Sequence, residues 1–271
     1  MGFKLKDIPK LAFGTFPLKG DSAKNAVFTA LELGYRHIDT AQMYENELEV
    51  GKAIKASGLS TDKIFLTTKI LPSNYTEDRF IGSLKKSCDE LQVDKVNLLL
   101  LHWPPLDKPL EPILDLLGSS LTYGITERIG VSNFTSYSME LAARYFNSQI
   151  AVNQVEFHPF LDQSKLLQKA SSLNVKLMSY CSLARGKVVM EPVIKNIAEK
   201  YAVSPGAIAL SWIMQQSVVA TVMSSNRDRA RKNMDSMRIH LNNNEMLLIT
   251  ELTRKHLRLV SPPGLAPEWD E

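Results

Sequence analysis

Val96-Asn-Leu-Leu-Leu-Leu-His102-Trp-Pro104 is a short apolar run that stops on an imidazole. Its length, its leucines and the proline behind it read as a buried strand whose last residue is ionisable. The same design occurs twice upstream. Ile64-Phe-Leu-Thr-Thr-Lys69 closes on an ammonium, and Gly34-Tyr-Arg-His-Ile-Asp39-Thr-Ala-Gln-Met-Tyr44-Glu-Asn-Glu47 carries a carboxylate and then a phenol. Buried strands normally end in turn residues, so three charged ends point to one shared site.

Outward from these runs, apolar segments alternate with longer amphipathic ones. The strand candidates are Leu11–Phe16, Tyr35–Asp39, Ile64–Lys69, Val96–His102, Arg128–Ser132, Ala151–Glu156, Val175–Tyr180 and Val218–Met223. Helical patterns between them include Ser22–Leu33, Glu47–Ser57, Thr76–Leu91, Ser136–Phe146, Ser164–Leu173 and Pro205–Gln215. Strand and helix repeating eight times over roughly 250 residues is the pattern of a (β/α)8 TIM barrel. A doubly wound sheet is the competing reading, but it would carry a Gly-rich fingerprint after its first strand, and no G-x-G occurs. The barrel also fixes where chemistry belongs, at the C-terminal ends of the strands. Asp39, Lys69, His102, Ser132, Asn133, Gln154, Tyr180 and Ser224 all fall at such ends. No linker or low-complexity tract interrupts the chain before its Pro-rich tail, so residues 1–271 are expected to form one domain.

A phenol is a poor acid at neutral pH, with an ordinary pKa of about 10. A nearby ammonium stabilises the phenolate and lowers that value, while a carboxylate holds the ammonium in place. Tyr44, Lys69, Asp39 and His102 together therefore make a proton donor for a carbonyl oxygen. Each has a plainer reading taken alone: Asp39 as a helix cap, Tyr44 as a packing aromatic, Lys69 as a snorkelling surface lysine, His102 as a structural histidine. Their occurrence at three neighbouring strand ends is what favours catalysis.

The bulk properties bound the rest. The chain has 271 residues and a net charge of +3, too small an excess to argue for nucleic acid. The basic run Arg227–Lys232 reads as a solvated helix face. Two cysteines, no apolar signal core in the N-terminal segment and no span of membrane length give a soluble cytoplasmic expectation. The five histidines lack ligand spacing for a metal, and His158 before Pro159 reads as structural. No exposed apolar helix stripe is evident, so a monomer is expected.

The segments G-Y-R-H-I-D-T-A, L-L-L-L-H-W-P, I-G-V-S-N-F and N-Q-V-E-F-H-P resemble the aldo-keto reductases, most closely the prokaryotic members grouped with 2,5-diketogluconate reductases. The likeness runs from about Leu11 to Asn233. It implies a (β/α)8 barrel that binds NADP(H) without a Rossmann fold and transfers hydride between nicotinamide and an aldehyde or ketone. By this resemblance Tyr44 is the general acid in reduction, Lys69 lowers its pKa, Asp39 pairs with Lys69, and His102 orients the carbonyl oxygen. Ser132, Asn133 and Gln154 would hold the nicotinamide carboxamide, Tyr180 would stack on its ring, and Ser182 and Leu183 would run along the pyrophosphate. Ser224, Asn226, Arg229 and Asn233 match the adenosine-side pattern, but Met223 stands where the family has a lysine for the 2′-phosphate. That exchange removes a charge-assisted contact of about 1.5–3 kcal/mol. NADP(H) is the expectation, with Arg227 near enough to substitute and NAD(H) the other candidate. Phe16 and Trp103 would line the substrate pocket, and Leu71 replaces a tryptophan common in the family. A short loop after His102 and a compact tail suggest small aldehydes, ketoacids or diketones, including diketo sugar acids. Trp269 either closes over the site or anchors the tail in a groove. A nucleotide-binding regulatory or structural barrel is the competing function, and a Schiff-base enzyme using Lys69 is a third.

Overall fold

Eight strands pair in parallel and in chain order: β1 (Leu11–Gly14), β2 (His37–Asp39), β3 (Phe65–Ile70), β4 (Leu98–Leu101), β5 (Ile129–Ser132), β6 (Ile150–Glu156), β7 (Lys176–Tyr180) and β8 (Val219–Val222). The last returns to the first, with Leu11 beside Ala220 and Phe13 beside Val222, and this closes the barrel. The chain is seen in a computed structural model that describes residues 8–270; the N-terminal segment examined for a signal core falls mostly outside them, as does Glu271.

The period of two along each strand sorts side chains into an inner and an outer set. Ala12, Phe65, Leu98, Leu100, Val152, Met178 and Val219 form a core cluster of their own inside the barrel. Leu99, Leu101, Phe13, Ile38 and Leu66 join the larger cluster between strands and helices. The four leucines of β4 are all fully buried because the strand has packed neighbours on both faces. Continuing each inner row by two residues leads to the polar groups at the strand ends: Leu100 to His102, Thr67 to Lys69, His37 to Asp39, Val152 to Gln154 and Met178 to Tyr180.

Around the barrel run α1 (Gly20–Glu32), α2 (Glu47–Ala56), α3 (Phe80–Leu91), α4 (Glu111–Thr122), α5 (Ser136–Tyr145), α6 (Ser164–Ser172), α7 (Pro192–Tyr201), α8 (Pro205–Gln215), α9 (Arg227–Met234) and α10 (Asn243–Thr250). The basic run lies on α9, where Arg231 and Lys232 both pair with Asp228 at the surface. Backbones come closest at Gly51 on α2, where a Cβ would sit 2.3 Å from the Glu90 carbonyl oxygen; at Gly130 on β5 a Cβ would sit 2.6 Å from both Leu100 Cδ2 and the Val152 carbonyl oxygen.

Several boundaries differ from the sequence reading. β1 stops at Gly14, two residues before Phe16, because the Thr15 hydroxyl turns into a network with Thr40 and Asn46. β4 begins at Leu98, since Val96 makes only an isolated bridge to Thr126. α3 begins at Phe80 rather than Thr76; the intervening residues form a turn in which Arg79 and Phe80 both donate to the Thr76 carbonyl.

Candidate active site

Lys69 sits at the inner end of β3 with no exposed surface. Its ammonium carries three protons, and three acceptors surround it: Asp39 Oδ1 at 2.8 Å, the Thr40 carbonyl at 2.9 Å and the Tyr44 hydroxyl oxygen at 3.3 Å. A buried lysine is tolerated because every donor is spent. The hydroxyl of Tyr44 accepts from Lys69, so its own proton remains free to donate, and it has no acceptor among the described residues.

Tyr44 closes a single 3-10 turn, Gln42–Tyr44, which is fastened from both sides. Gln42 Oε1 accepts from the Leu71 amide at 2.9 Å and from Asn74 Nδ2 at 3.0 Å, while its Nε2 donates to Ser87 at 3.1 Å. Asn46, fully buried, donates to the carbonyls of Thr15 and Leu18 and accepts from the Thr40 hydroxyl at 2.8 Å. These bonds lock the turn against β3 on one side and the loop after β1 on the other. The sequence reading missed both residues; the only local signal was that Asn46 lies in the same Y-E-N-E stretch as Tyr44.

Burial raises the Tyr44 phenol above its ordinary 10.0, and the Lys69 ammonium pulls in the opposite direction without reversing the sign. Lys69 thus lowers this pKa relative to burial alone, and so limits the rise that desolvation imposes. Burial likewise pushes the Lys69 ammonium down, but Asp39 and Tyr44 outweigh it and leave the group raised and charged. His102 is held well below 6.5 by burial and then by Lys69, so it is a neutral imidazole. Its ring meets Tyr44 edge-on with centroids 5.5 Å apart, and its buried Nδ1 has no hydrogen-bond partner.

The next group is joined to this one directly. Gln154 Nε2 donates to Asp39 Oδ2 at 2.8 Å, so the carboxylate bridges Lys69 and Gln154. Asn133 takes a left-handed conformation (φ 64°), which asparagine tolerates better than most residues, and this turns its amide back over the barrel. Its Nδ2 donates to the His102 carbonyl at 2.9 Å and to Ser132 Oγ at 3.2 Å, and its Oδ1 accepts from the Tyr180 hydroxyl at 2.7 Å. Ser132 in turn donates to the Gln154 carbonyl at 2.9 Å. Ser132, Asn133, Gln154 and Tyr180 thus form one hydrogen-bonded arc beside Tyr44 and His102. Gln154 Oε1 has no hydrogen bond among the described residues and keeps its acceptor for a ligand.

The other expected cofactor residues lie toward β7 and β8, outside this arc. Ser182 is buried and bonded to Ser179 and to the Thr221 carbonyl, both at 2.6 Å, so its hydroxyl is spent on the scaffold. Leu183 and Asn233 converge on Gly206 at the start of α8, where a Cβ would lie 3.4 Å from Asn233 Oδ1 and 3.6 Å from Leu183 Cδ1. Asn226 caps the start of α9, its Oδ1 accepting from the Arg229 amide at 2.9 Å, and Ser224 Oγ braces that cap by accepting from the Asn226 amide at 3.1 Å. The Arg229 side chain is exposed and forms no ion pair among the described residues. Arg227, by contrast, is paired with Glu32 at 2.7 Å. Of the residues expected to meet substrate, Phe16 is 61% exposed and leans on the Tyr44 ring at 5.2 Å, while Trp103 is buried behind His102 at 6.5 Å. Trp269 packs edge-on to Trp103 at 6.4 Å, so the tail reaches the mouth.

No group of three or more His, Cys, Asp or Glu side chains among the described residues is placed to share a metal ion. Nor is any described helix long and apolar enough to cross a membrane.

Residues 10–254 match the Aldo/keto reductase family. The chain belongs to that family. It is 41% identical over 266 residues to the methylglyoxal reductase DkgB of Yersinia pestis, covering 97% of this chain and 99% of that one. A solved structure of a candidate 2,5-diketo-D-gluconic acid reductase B superposes with a TM-score of 0.95 at 42% identity, covering 98% of this chain and 95% of the other. The aldose reductase of Schistosoma japonicum superposes with a TM-score of 0.91 at 23% identity, covering 97% and 96%, and shares the fold. This aldo/keto reductase is an oxidoreductase that reduces aldehydes or ketones with a nicotinamide cofactor.

Proposed function

We propose that this aldo/keto reductase reduces small dicarbonyl compounds with NADPH, using Tyr44 as general acid. One observation carries the mechanistic part: Lys69 spends its three protons on Asp39, the Thr40 carbonyl and Tyr44, and leaves the phenolic proton free.

Bound reduced nicotinamide supplies the hydride. The chain's own residues then have to manage the charge that appears on the carbonyl oxygen. Tyr44 donates its proton to that oxygen, and Lys69 stabilises the phenolate left behind. Asp39 keeps Lys69 charged and in place. His102, neutral, orients the oxygen through a ring nitrogen rather than through full charge. In oxidation the same phenolate takes the proton back.

The residues present suit the nicotinamide: Gln154 has an unspent acceptor for a carboxamide, and Tyr180 offers a ring held by Asn133. Ser132 and Asn133 complete that cradle, while Leu183, Asn233 and the scaffold residue Ser182 would flank the pyrophosphate. With Met223 in the lysine position and Arg227 tied to Glu32, the 2′-phosphate falls to Arg229, assisted by the α9 start that Asn226 caps and Ser224 braces. The names of the relatives, a methylglyoxal reductase and a candidate 2,5-diketo-gluconic acid reductase, support small dicarbonyls as the substrate class. Phe16 and Trp103 give such a substrate aromatic walls. We further read the protein as a monomeric, one-domain cytoplasmic enzyme.

Fluorescence titration with NADPH and NADH, followed by assay of methylglyoxal, tests the proposal. NADPH should bind more than tenfold tighter and be consumed with methylglyoxal. Equal affinities would remove Arg229 from its role, and failure of both nucleotides to bind would sink the reductase reading for this chain.

A further inference from the structure

Glu156 ends β6 two residues after Gln154, is fully buried, and has no part in the chemistry above. It is not a spare charge. Its Oε1 accepts from His158 Nε2 at 2.8 Å and from the Leu259 amide at 2.7 Å; its Oε2 accepts from the Val260 amide at 2.9 Å. His158, also fully buried, accepts from the Phe160 amide at its Nδ1, which leaves the proton on Nε2 facing the carboxyl group. Two consecutive backbone amides of the C-terminal segment are therefore drawn down onto one side chain at the barrel rim. Leu257 adds a bond to the Phe160 carbonyl at 2.7 Å.

The anchored segment leads straight to the pocket. Arg258, between the bonded residues, lies over the Trp269 ring at 3.9 Å from its centroid. Trp269 Nε1 donates to Ser261 Oγ at 3.1 Å, and its ring abuts Trp103, which lies behind His102. Beyond it Asp270 accepts from the Ser136 amide at the start of α5. The tail is thus tied at both ends with Trp269 over the mouth, and the inner tie is Glu156.

We infer that Glu156 is a positioning residue for substrate specificity: by holding the Leu259 and Val260 amides it sets the Arg258–Trp269–Trp103 wall of the carbonyl pocket. This rests on the reading of the barrel mouth as the carbonyl site. An oxygen pair is required, because three donors converge on Glu156 and a glutamine there must turn its own amide protons toward one of them. Loss of the tie frees the tail and breaks no hydrogen bond of Tyr44, Lys69, Gln154 or the Tyr180 hydroxyl, so it changes the pocket and not the proton transfer.

The test compares wild type, Glu156→Gln and Trp269→Ala with phenylglyoxal and methylglyoxal as probe substrates, alongside amide hydrogen exchange of residues 257–270. Glu156→Gln is expected to speed exchange at Leu259 and Val260 at least tenfold. It should raise the KM for phenylglyoxal about tenfold, the KM for methylglyoxal less than threefold, and change kcat less than twofold. Trp269→Ala, which leaves Glu156 and its bonds in place, should reproduce the phenylglyoxal effect without faster exchange at those two amides. Unchanged exchange in Glu156→Gln, or faster exchange with an unchanged phenylglyoxal KM, overturns the inference. If Glu156→Gln does not fold, an unchanged phenylglyoxal KM in Trp269→Ala overturns it instead. Failure of wild type to turn over either probe would count against the proposed function, whereas the exchange result judges the tie on its own.

Discussion

At the scale of single residues, the proposed chemistry turns on the balance at Tyr44. Burial raises the phenol, and Lys69 pulls it back. Reduction needs the protonated phenol, so its kcat/KM should be flat through neutral pH and fall only as Tyr44 ionises on the alkaline side. Oxidation needs the phenolate and should rise over the same range. Replacing Lys69 with methionine removes the opposing charge, so the phenol moves further up. We therefore expect Lys69→Met to lower alcohol oxidation by about 100-fold or more at neutral pH, the lower end of general acid–base effects, and to displace its alkaline rise upward. A pH–rate profile for oxidation indistinguishable from wild type would contradict the role given to Lys69. Four candidate site residues, Asp39, Tyr44, Lys69 and His102, were legible in the sequence because each sets an ionisable group at the end of a buried strand or, for Tyr44, in the turn that follows one. Asn46 and Gln42 were not, because amides in a polar loop have no unusual signature until their partners are seen.

At the scale of elements, the start of α2 is bound to its neighbours by Glu47, which lies only 4% exposed. It accepts from Thr68 on β3 and, at 3.0 Å, from Ser87 on α3. Burial lifts its carboxyl from 4.5 to about 6, with the two hydroxyls opposing. The folded protein therefore holds this proton more firmly than the unfolded chain. The resulting stabilisation is fully present below pH 4.5 and is lost as pH rises through about 6, a change of about 2 kcal/mol. Glu47→Gln lacks this titration, so its melting temperature relative to wild type should increase between pH 4.5 and pH 7.5. A difference that stays constant over that range would show that Glu47 does not titrate as described. Strand identity was readable here from short apolar runs, but strand ends were less so. β1 stops before Phe16 because Thr15 bonds sideways to Thr40, a long-range contact that no local pattern announces.

At the scale of the whole molecule, barrel closure is what turns scattered residues into a site. Asp39 and Gln154 are 115 positions apart and meet at 2.8 Å; Asn133 and Tyr180 are 47 apart and meet at 2.7 Å. The (β/α)8 repeat predicted those meetings in outline, since it places every strand's C-terminal end at one mouth. It could not predict which hydroxyls and amides the scaffold would consume, as Ser182 shows, or that the tail would be fastened to Glu156. In the proposed function one mouth performs two separable tasks, holding the nucleotide on one side and delivering a proton from Tyr44 on the other. The most direct measurement is the NADPH-dependent reduction of methylglyoxal by Tyr44→Phe, with NADPH affinity determined on the same protein. Turnover should fall by at least about 100-fold, in line with loss of a general acid, while affinity changes less than threefold. A Tyr44→Phe enzyme that reduces methylglyoxal at the wild-type rate would contradict the account.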